Sequence, residues 1–295
     1  MRVAILGCGY VGLELGRQLR PDHEVIGVRR SATGLDAVEA AGLTPMQADV
    51  TDADALSAVP DVDAVVFAAS SGGRGAAAAR AVYVEGLRTA VDTFCERPSP
   101  PDRVVYTSST GVYGDHGGDW VDEETPLEPT TERARVLAEA ERIARERPAE
   151  YGRDGTVARF AGLYGPDRYR LRRYLDGPVT EGYLNMIHRD DAAGAVRFLL
   201  EADAARDEVV LVVDDEPVDK WAFADWLAEH CGRERPPKRT VEDRLSEGDP
   251  SERVRRRVQT SKRCSNAKLH RLGYEFAYPT FREGYSEVIE DYRSV

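Results

Sequence analysis

The first residues whose types and spacing could do chemistry are Gly7-Cys8-Gly9-Tyr10-Val11-Gly12, placed behind an apolar run and ahead of a helical pattern through Leu13, Leu15 and Leu19. Glycines at 7, 9 and 12 permit a tight turn, let the backbone approach a phosphate, and let the helix pack closely on the strand. The helix N-terminus then offers unpaired N–H groups and positive potential around Tyr10 and Val11. The chemistry expected is pyrophosphate binding. The bland alternative is a flexible glycine turn.

A dinucleotide site of this kind calls for an acid about 20 residues further on, to bind the adenosine ribose hydroxyls. Here the second apolar run ends Val28-Arg29-Arg30-Ser31. A carboxylate would repel a 2′-phosphate, whereas guanidinium groups grip one through charge-assisted, bidentate bonds. NADP is therefore favoured, with NAD as the second choice. The alternative is that Arg29 and Arg30 decorate a solvated loop. Asp49 and Val50 close the next run, where a carboxylate could accept a bond from the adenine amino group, and Ala68-Ala69-Ser70 close the fourth with small residues.

These groups need a scaffold that lines them up. Val3 to Leu6, Glu24 to Val28, Thr44 to Ala48, Ala64 to Ala68, Val104 to Thr107 and Thr156 to Phe160 read as strands, with helical patterns between most of them. That alternation predicts an α/β fold, a Rossmann-type doubly wound parallel sheet covered on both faces. Residues 1–165 are expected to form the nucleotide-binding domain, with strands continuing to about 213. Residues 166–295 would mainly form a small C-terminal substrate lobe interleaved with it. The charged stretch from Arg233 to Lys262 is either a mobile loop or the rim of that lobe.

Longer blocks carry a family likeness. Tyr106-Thr107-Ser108-Ser109-Thr110-Gly111-Val112-Tyr113-Gly114-Asp115, Arg159-Phe160-Ala161-Gly162-Leu163-Tyr164-Gly165-Pro166, Asn185-Met186-Ile187-His188-Arg189-Asp190-Asp191 and Ser265-Asn266-Ala267-Lys268-Leu269 stand in order along the chain. Together with the glycine turn they resemble the extended short-chain dehydrogenases/reductases, which include nucleotide-sugar epimerases and dehydratases. In that family a Tyr and a Lys four residues apart share one helix face, near a Ser or Thr after the fifth strand. The phenol is the acid/base for hydride transfer, and the lysine holds the nicotinamide ribose and lowers the phenol's pKa.

The resemblance puts Ser109 at the serine position, Ser108 among the cofactor contacts, and Phe160 and Leu163 at the border of the nicotinamide. Aligning Glu139 with the acid that often follows the pair puts Thr131 at the tyrosine position and Arg135 at the lysine position. An arginine can still hold a ribose. A threonine cannot replace a phenol, whose pKa starts at about 10 and can be tuned downward. The chain thus resembles the atypical members that lack the Tyr and Lys. Tyr113, Tyr164, Tyr83 and His188 are the alternative proton donors, each also readable as packing or as a structural hydrogen-bond partner.

The balance of the composition narrows the partners. A net charge of -12 repels nucleic acid and anionic lipid, and no apolar run approaches the ~18 residues of a membrane helix. Cys8, Cys95, Cys231 and Cys264 form no CxxC pair, and His23, His116, His188, His230 and His270 show no ligand spacing, so no metal site is expected. The expectation is a cytoplasmic NAD(P)-binding oxidoreductase of the epimerase/dehydratase type for a small polar substrate such as a nucleotide sugar. A homodimer through the helix from Glu132 is implied by the resemblance alone. The alternative is a non-catalytic NADP-binding sensor or scaffold.

Overall fold

The apolar runs form strands because their β-branched residues are buried on both faces. In chain order the first half reads β1 (Arg2–Leu6), α1 (Tyr10–Leu19), β2 (Glu24–Arg29), α2 (Ala32–Ala40), β3 (Thr44–Gln47), α3 (Ala53–Ser57), β4 (Ala64–Phe67), α4 (Ala76–Arg80), α5 (Leu87–Cys95) and β5 (Arg103–Ser109). There follow β6 (Trp120–Val121), α6 (Glu132–Ala149), β7 (Asp154–Phe160), β8 (Gly162–Tyr164), α7 (Leu171–Leu175), β9 (Val179–Thr180), β10 (Tyr183–Leu184), β11 (Met186–His188), α8 (Arg189–Glu201) and β12 (Val209–Val212). The last elements are β13 (Val218–Asp219), α9 (Lys220–His230), β14 (Lys238–Arg239), α10 (Val241–Ser246), α11 (Glu252–Gln259), β15 (Arg263–Cys264), α12 (Ala267–Leu272) and α13 (Phe281–Ser294). The computed structural model describes residues 1–72, 75–248 and 252–294.

Seven strands make one parallel sheet in the order β12-β7-β5-β4-β1-β2-β3. Side chains alternate across it. Val3 and Ile5 join Leu15, Val196 and Leu199 on the α1/α8 face, while Ala4 and Leu6 join Phe94, Ala140 and Ile143 on the α5/α6 face. This is the doubly wound Rossmann-type architecture expected from the alternating runs. The strand order reverses between β1 and β4, which opens a crevice at the carboxyl ends of the strands.

A third apolar cluster, formed mostly by residues after the sixth strand of the sheet, includes Tyr164, Tyr174, Phe223, Phe281 and Tyr285. It is tied down by two-stranded pairings of β8 with β11, β10 with β13, β9 with β14 and β6 with β15. Within the charged stretch after Arg233, β14 pairs with β9 and a Thr240/Asp243 capping box starts α10.

Candidate functional site

The glycine turn sits where the sheet order reverses. Gly7 has φ +80°, and a Cβ there would lie 2.2 Å from Ala69 Cα, so the close approach of this turn to the end of β4 requires glycine. A Cβ on Gly9 would lie 2.9 Å from Arg29 Nη1, and one on Gly12 would lie 2.9 Å from Ile5 Cγ2. No side chain caps α1. The N–H groups of Tyr10, Val11 and Gly12 therefore have no partner within the helix, the arrangement that receives a pyrophosphate. These residues fit the dinucleotide that the sequence calls for.

At the end of β2 the two arginines do different things. Arg29 folds back, its Nη1 donating to the Cys8 carbonyl at 2.9 Å, and it braces the glycine turn against the start of α2. Arg30 is 74% exposed and reaches Asp49 Oδ2 at 3.4 Å. Ser31 caps α2 by accepting the Gly34 N–H at 3.3 Å, so a hydroxyl and a helix N-terminus follow directly on the two arginines at the end of β2. Asp49 also accepts from the Thr51 N–H and hydroxyl. The Thr51 backbone bond is the main reason its carboxyl sits below the usual range. Val50 is buried beside it, and Ala68, Ala69 and the exposed Ser70 follow β4 across the order reversal, with Ala69 against Gly7.

Further along the sheet edge, β5 splits its two serines between opposite sides. Ser109 is half-buried at the strand end, and its Oγ accepts the Gly111 N–H at 3.2 Å, which leaves its own proton to donate. Ser108, expected among the cofactor contacts, is turned into the core, where its hydroxyl donates to Glu141 Oε1 at 2.6 Å. Phe160 is 5% exposed and packed in the core, with the half-buried Leu163 against the same cluster.

The proposed catalytic helix differs from the sequence expectation. Thr131 lies just outside α6 as its N-cap, the hydroxyl accepting the Ala134 N–H at 2.7 Å. Arg135 is 60% exposed and pairs with Glu132 at 3.3 Å on the outer surface. Glu139 pairs with Arg80 at a half-exposed position. The acid that α6 buries is Glu141, which binds Arg159 at 2.7 Å with both side chains 5% exposed. With Glu141 taken as the acid that follows the pair, the positions four and eight residues earlier are Leu137 and Arg133. Leu137 packs at the border of both cores, and Arg133 reaches the crevice.

The alternative proton donors are all buried, and each has at least one hydrogen-bond partner, though among the described residues nothing bonds His188 Nε2. Tyr113 is fully buried, accepts from Arg159 Nη1 at 2.6 Å and donates to the Asp122 carbonyl at 2.5 Å, and burial pushes its pKa up. Tyr164 is stacked on Tyr285 and likewise pushed up by burial. Tyr83 accepts from the Ser71 N–H and from Arg133. His188 is 2% exposed, accepts the Asp190 N–H as the cap of α8 and lies against Tyr278 with ring centroids 3.8 Å apart. Burial lowers its pKa to about 4, which keeps it neutral near pH 7.

Sequence reasoning missed the buried Ser108–Glu141–Arg159–Tyr113 network and the contact of Arg133 with Tyr83. An arginine inside the apolar run Val157-Ala158-Arg159-Phe160 was the available signal for the first, because a buried guanidinium demands a buried acid. A cleft of about 480 Å³ between α6 and β12 opens onto Glu141 and Arg159 and shares none of the glycine-turn residues. Burial pushes the Cys8 thiol up to about 12, and Cys95 and Cys264 up to about 11, so they are poor nucleophiles. Among the described residues no group of His, Cys, Asp and Glu could hold a metal ion, and no helix is long and apolar enough to cross a membrane.

Comparison with known proteins places these features in context. Residues 3–212 match the model of the NAD dependent epimerase/dehydratase family. Protein YeeZ of Escherichia coli (strain K12) is 33% identical over 209 residues, 68% of this chain and 73% of that protein. A Methylobacillus flagellatus structure described as an NAD-dependent epimerase/dehydratase is 32% identical with a TM-score of 0.78, covering 99% of this chain and 98% of that one. The human epimerase family protein SDR39U1 (isoform 2), solved with NADPH, shares the fold at 19% identity with a TM-score of 0.78, covering 99% of this chain and all of that one.

Proposed function

Because this chain belongs to the NAD dependent epimerase/dehydratase family, we propose that it is an NADP-binding oxidoreductase that acts on a small polar substrate of the nucleotide-sugar type. The observation that carries the cofactor choice is the edge of β2, where Arg29, Arg30 and Ser31 stand in place of an acid. Proteins of this fold carry either nucleotide, NADPH in human SDR39U1 and NAD in DesIV of Streptomyces venezuelae, so the choice rests on the β2 edge. When bound, the nucleotide would supply the hydride acceptor or donor.

The chain's own residues would then divide the work. Gly7, Gly9 and Gly12 admit the pyrophosphate, and the free N–H groups of the first turn of α1 hold it. Arg29 and Arg30 take the 2′-phosphate, Asp49 and Val50 face the adenine, and Ala68, Ala69 and Ser70 border the passage toward β5. Phe160 and Leu163 border the nicotinamide. Ser109 donates its unspent proton to the reacting oxygen and orients it. A cytosolic location belongs to this reading, supported by four buried free cysteines. A homodimer through α6 would pair charged surfaces, since Glu132, Arg135, Arg142 and Glu146 ion-pair along its exposed side.

A second reading is favoured by one observation: Thr131 is an N-cap, and Tyr113, Tyr164 and His188 are buried away from the crevice opening. The protein would then be a nucleotide-dependent sensor or scaffold. Titration with NADPH and NADH, followed by oxidation assays with nucleotide sugars and simple carbonyls, separates the two. Substrate-dependent oxidation that Ser109→Ala abolishes, with NADPH affinity kept, supports the enzyme. Tight binding without turnover supports the sensor, and no binding of either nucleotide refutes the cofactor assignment.

A further inference from the structure

Arg133 is a cation with neutral partners in a chain whose acids outnumber its bases by twelve. Its Nη2 lies 3.1 Å from Tyr83 Oη, its Nη1 lies 3.3 Å from Ser71 Oγ, and the guanidinium stands 5.4 Å from the centroid of the Tyr83 ring. Among the described residues it forms no salt bridge. Nearby arginines on the same helix do otherwise, Arg135 pairing with Glu132 and Arg142 with Glu146. Tyr83 is 8% exposed and also accepts the Ser71 N–H at 3.3 Å, so the guanidinium rests on a fixed base.

The position of this cation is informative. Ser71 belongs to the segment that leaves β4, on the far side of the reversal from β1, β2 and β3. A dinucleotide bound across such a reversal lays its adenosine half over the β1–β3 side and its other half over the β4–β5 side. We infer that Arg133 holds the nicotinamide half of NADP(H), through donors to its ribose and phosphate oxygens, and that Arg135 takes no part. This rests on the cofactor reading above. Five N–H donors in a planar fork suit both oxygen types, and two neutral hydroxyl partners are given up at less cost than a carboxylate would be. Arg133 is a binding and positioning residue, since a guanidinium does not exchange its proton near neutral pH.

The test compares wild type, Arg133→Ala, Arg133→Lys and Arg135→Ala by fluorescence titration with NADPH and by calorimetric titration with 2′,5′-ADP, which lacks the nicotinamide half. Loss of charged hydrogen bonds predicts NADPH binding about 10-fold to 100-fold weaker in Arg133→Ala. Arg133→Lys should fall between the two, and Arg135→Ala should match wild type. Affinity for 2′,5′-ADP should be the same in all four. Unchanged NADPH affinity in Arg133→Ala, or equal weakening of NADPH and 2′,5′-ADP, overturns the inference while leaving the cofactor reading standing. A wild-type protein that binds neither ligand overturns both.

Discussion

Replacing Glu141 by Gln should be among the most destabilising single changes in the sheet's α6 side. The carboxylate accepts from Arg159 Nε at 2.9 and 3.1 Å, from Arg159 Nη2 at 2.7 Å and from Ser108 at 2.6 Å, with both charged side chains 5% exposed. Burial alone would lower the Arg159 pKa, and the bonds and charge of Glu141 more than offset this, leaving it raised. Glu141→Gln keeps the shape and one acceptor oxygen but removes the negative charge from beside a buried guanidinium, and it turns an NH2 toward Arg159 or Ser108, both of which donate there. Removing one member of a buried pair costs about 3–5 kcal/mol, which for a chain of this size lowers the melting temperature by roughly 5–8 °C. Denaturant unfolding followed by circular dichroism measures the cost. The triple change Glu141→Leu, Arg159→Met, Ser108→Ala removes both charges and the hydroxyl, and should recover most of the loss because apolar packing often equals a buried pair. A loss below about 1 kcal/mol in Glu141→Gln, or a triple variant as unstable as the single one, would refute the reasoning.

Three further outcomes are expected. Gly7→Ala should lose nucleotide binding and about 1–3 kcal/mol of stability or more, since its Cβ would lie 2.2 Å from Ala69 Cα at φ +80°; wild-type NADPH titration in that variant would contradict the fit of the turn. Arg30→Ala should weaken NADPH by about tenfold or more while leaving NADH unchanged, and equal weakening of both would remove Arg30 from the 2′-phosphate site. The third concerns His188, whose pKa is lowered to about 4 by burial. Its ring in the unfolded chain takes a proton below about pH 6.5, so the unfolded state binds more protons between pH 6.5 and 4. The full contribution is present at pH 7 and is lost as pH falls through that window, by up to about 3 kcal/mol. His188→Asn keeps a capping acceptor and should lack this slope; stability–pH curves that stay parallel for variant and wild type would sink it.

Much of the nucleotide crevice was legible because its determinants are local. The glycine spacing, the apolar runs and the Arg29-Arg30-Ser31 strand end are properties of consecutive residues, and a parallel α/β alternation admits few topologies. The place of Ser109 at the end of β5 was legible for the same reason. Its neighbour Ser108 was not, because alternation sends adjacent strand residues to opposite faces, and which face meets α6 depends on how the sheet is covered.

The helix shows the limit most sharply. Glu139 and Glu141 are two residues apart in one helical pattern, equivalent by composition, yet about 200° apart around a helix. Choosing Glu139 points the four-residue pair to Thr131 and Arg135, one a helix cap and the other 60% exposed. Choosing Glu141 points it to Arg133 and Leu137, which meet the crevice and the two cores. The sequence by itself determined the sheet, the glycine turn at its order reversal and the cationic edge beside it. Only the tertiary structure decided which acid was buried, because Glu141 finds Arg159 eighteen residues away across β7, and that pairing exists only once the helix has packed on the sheet.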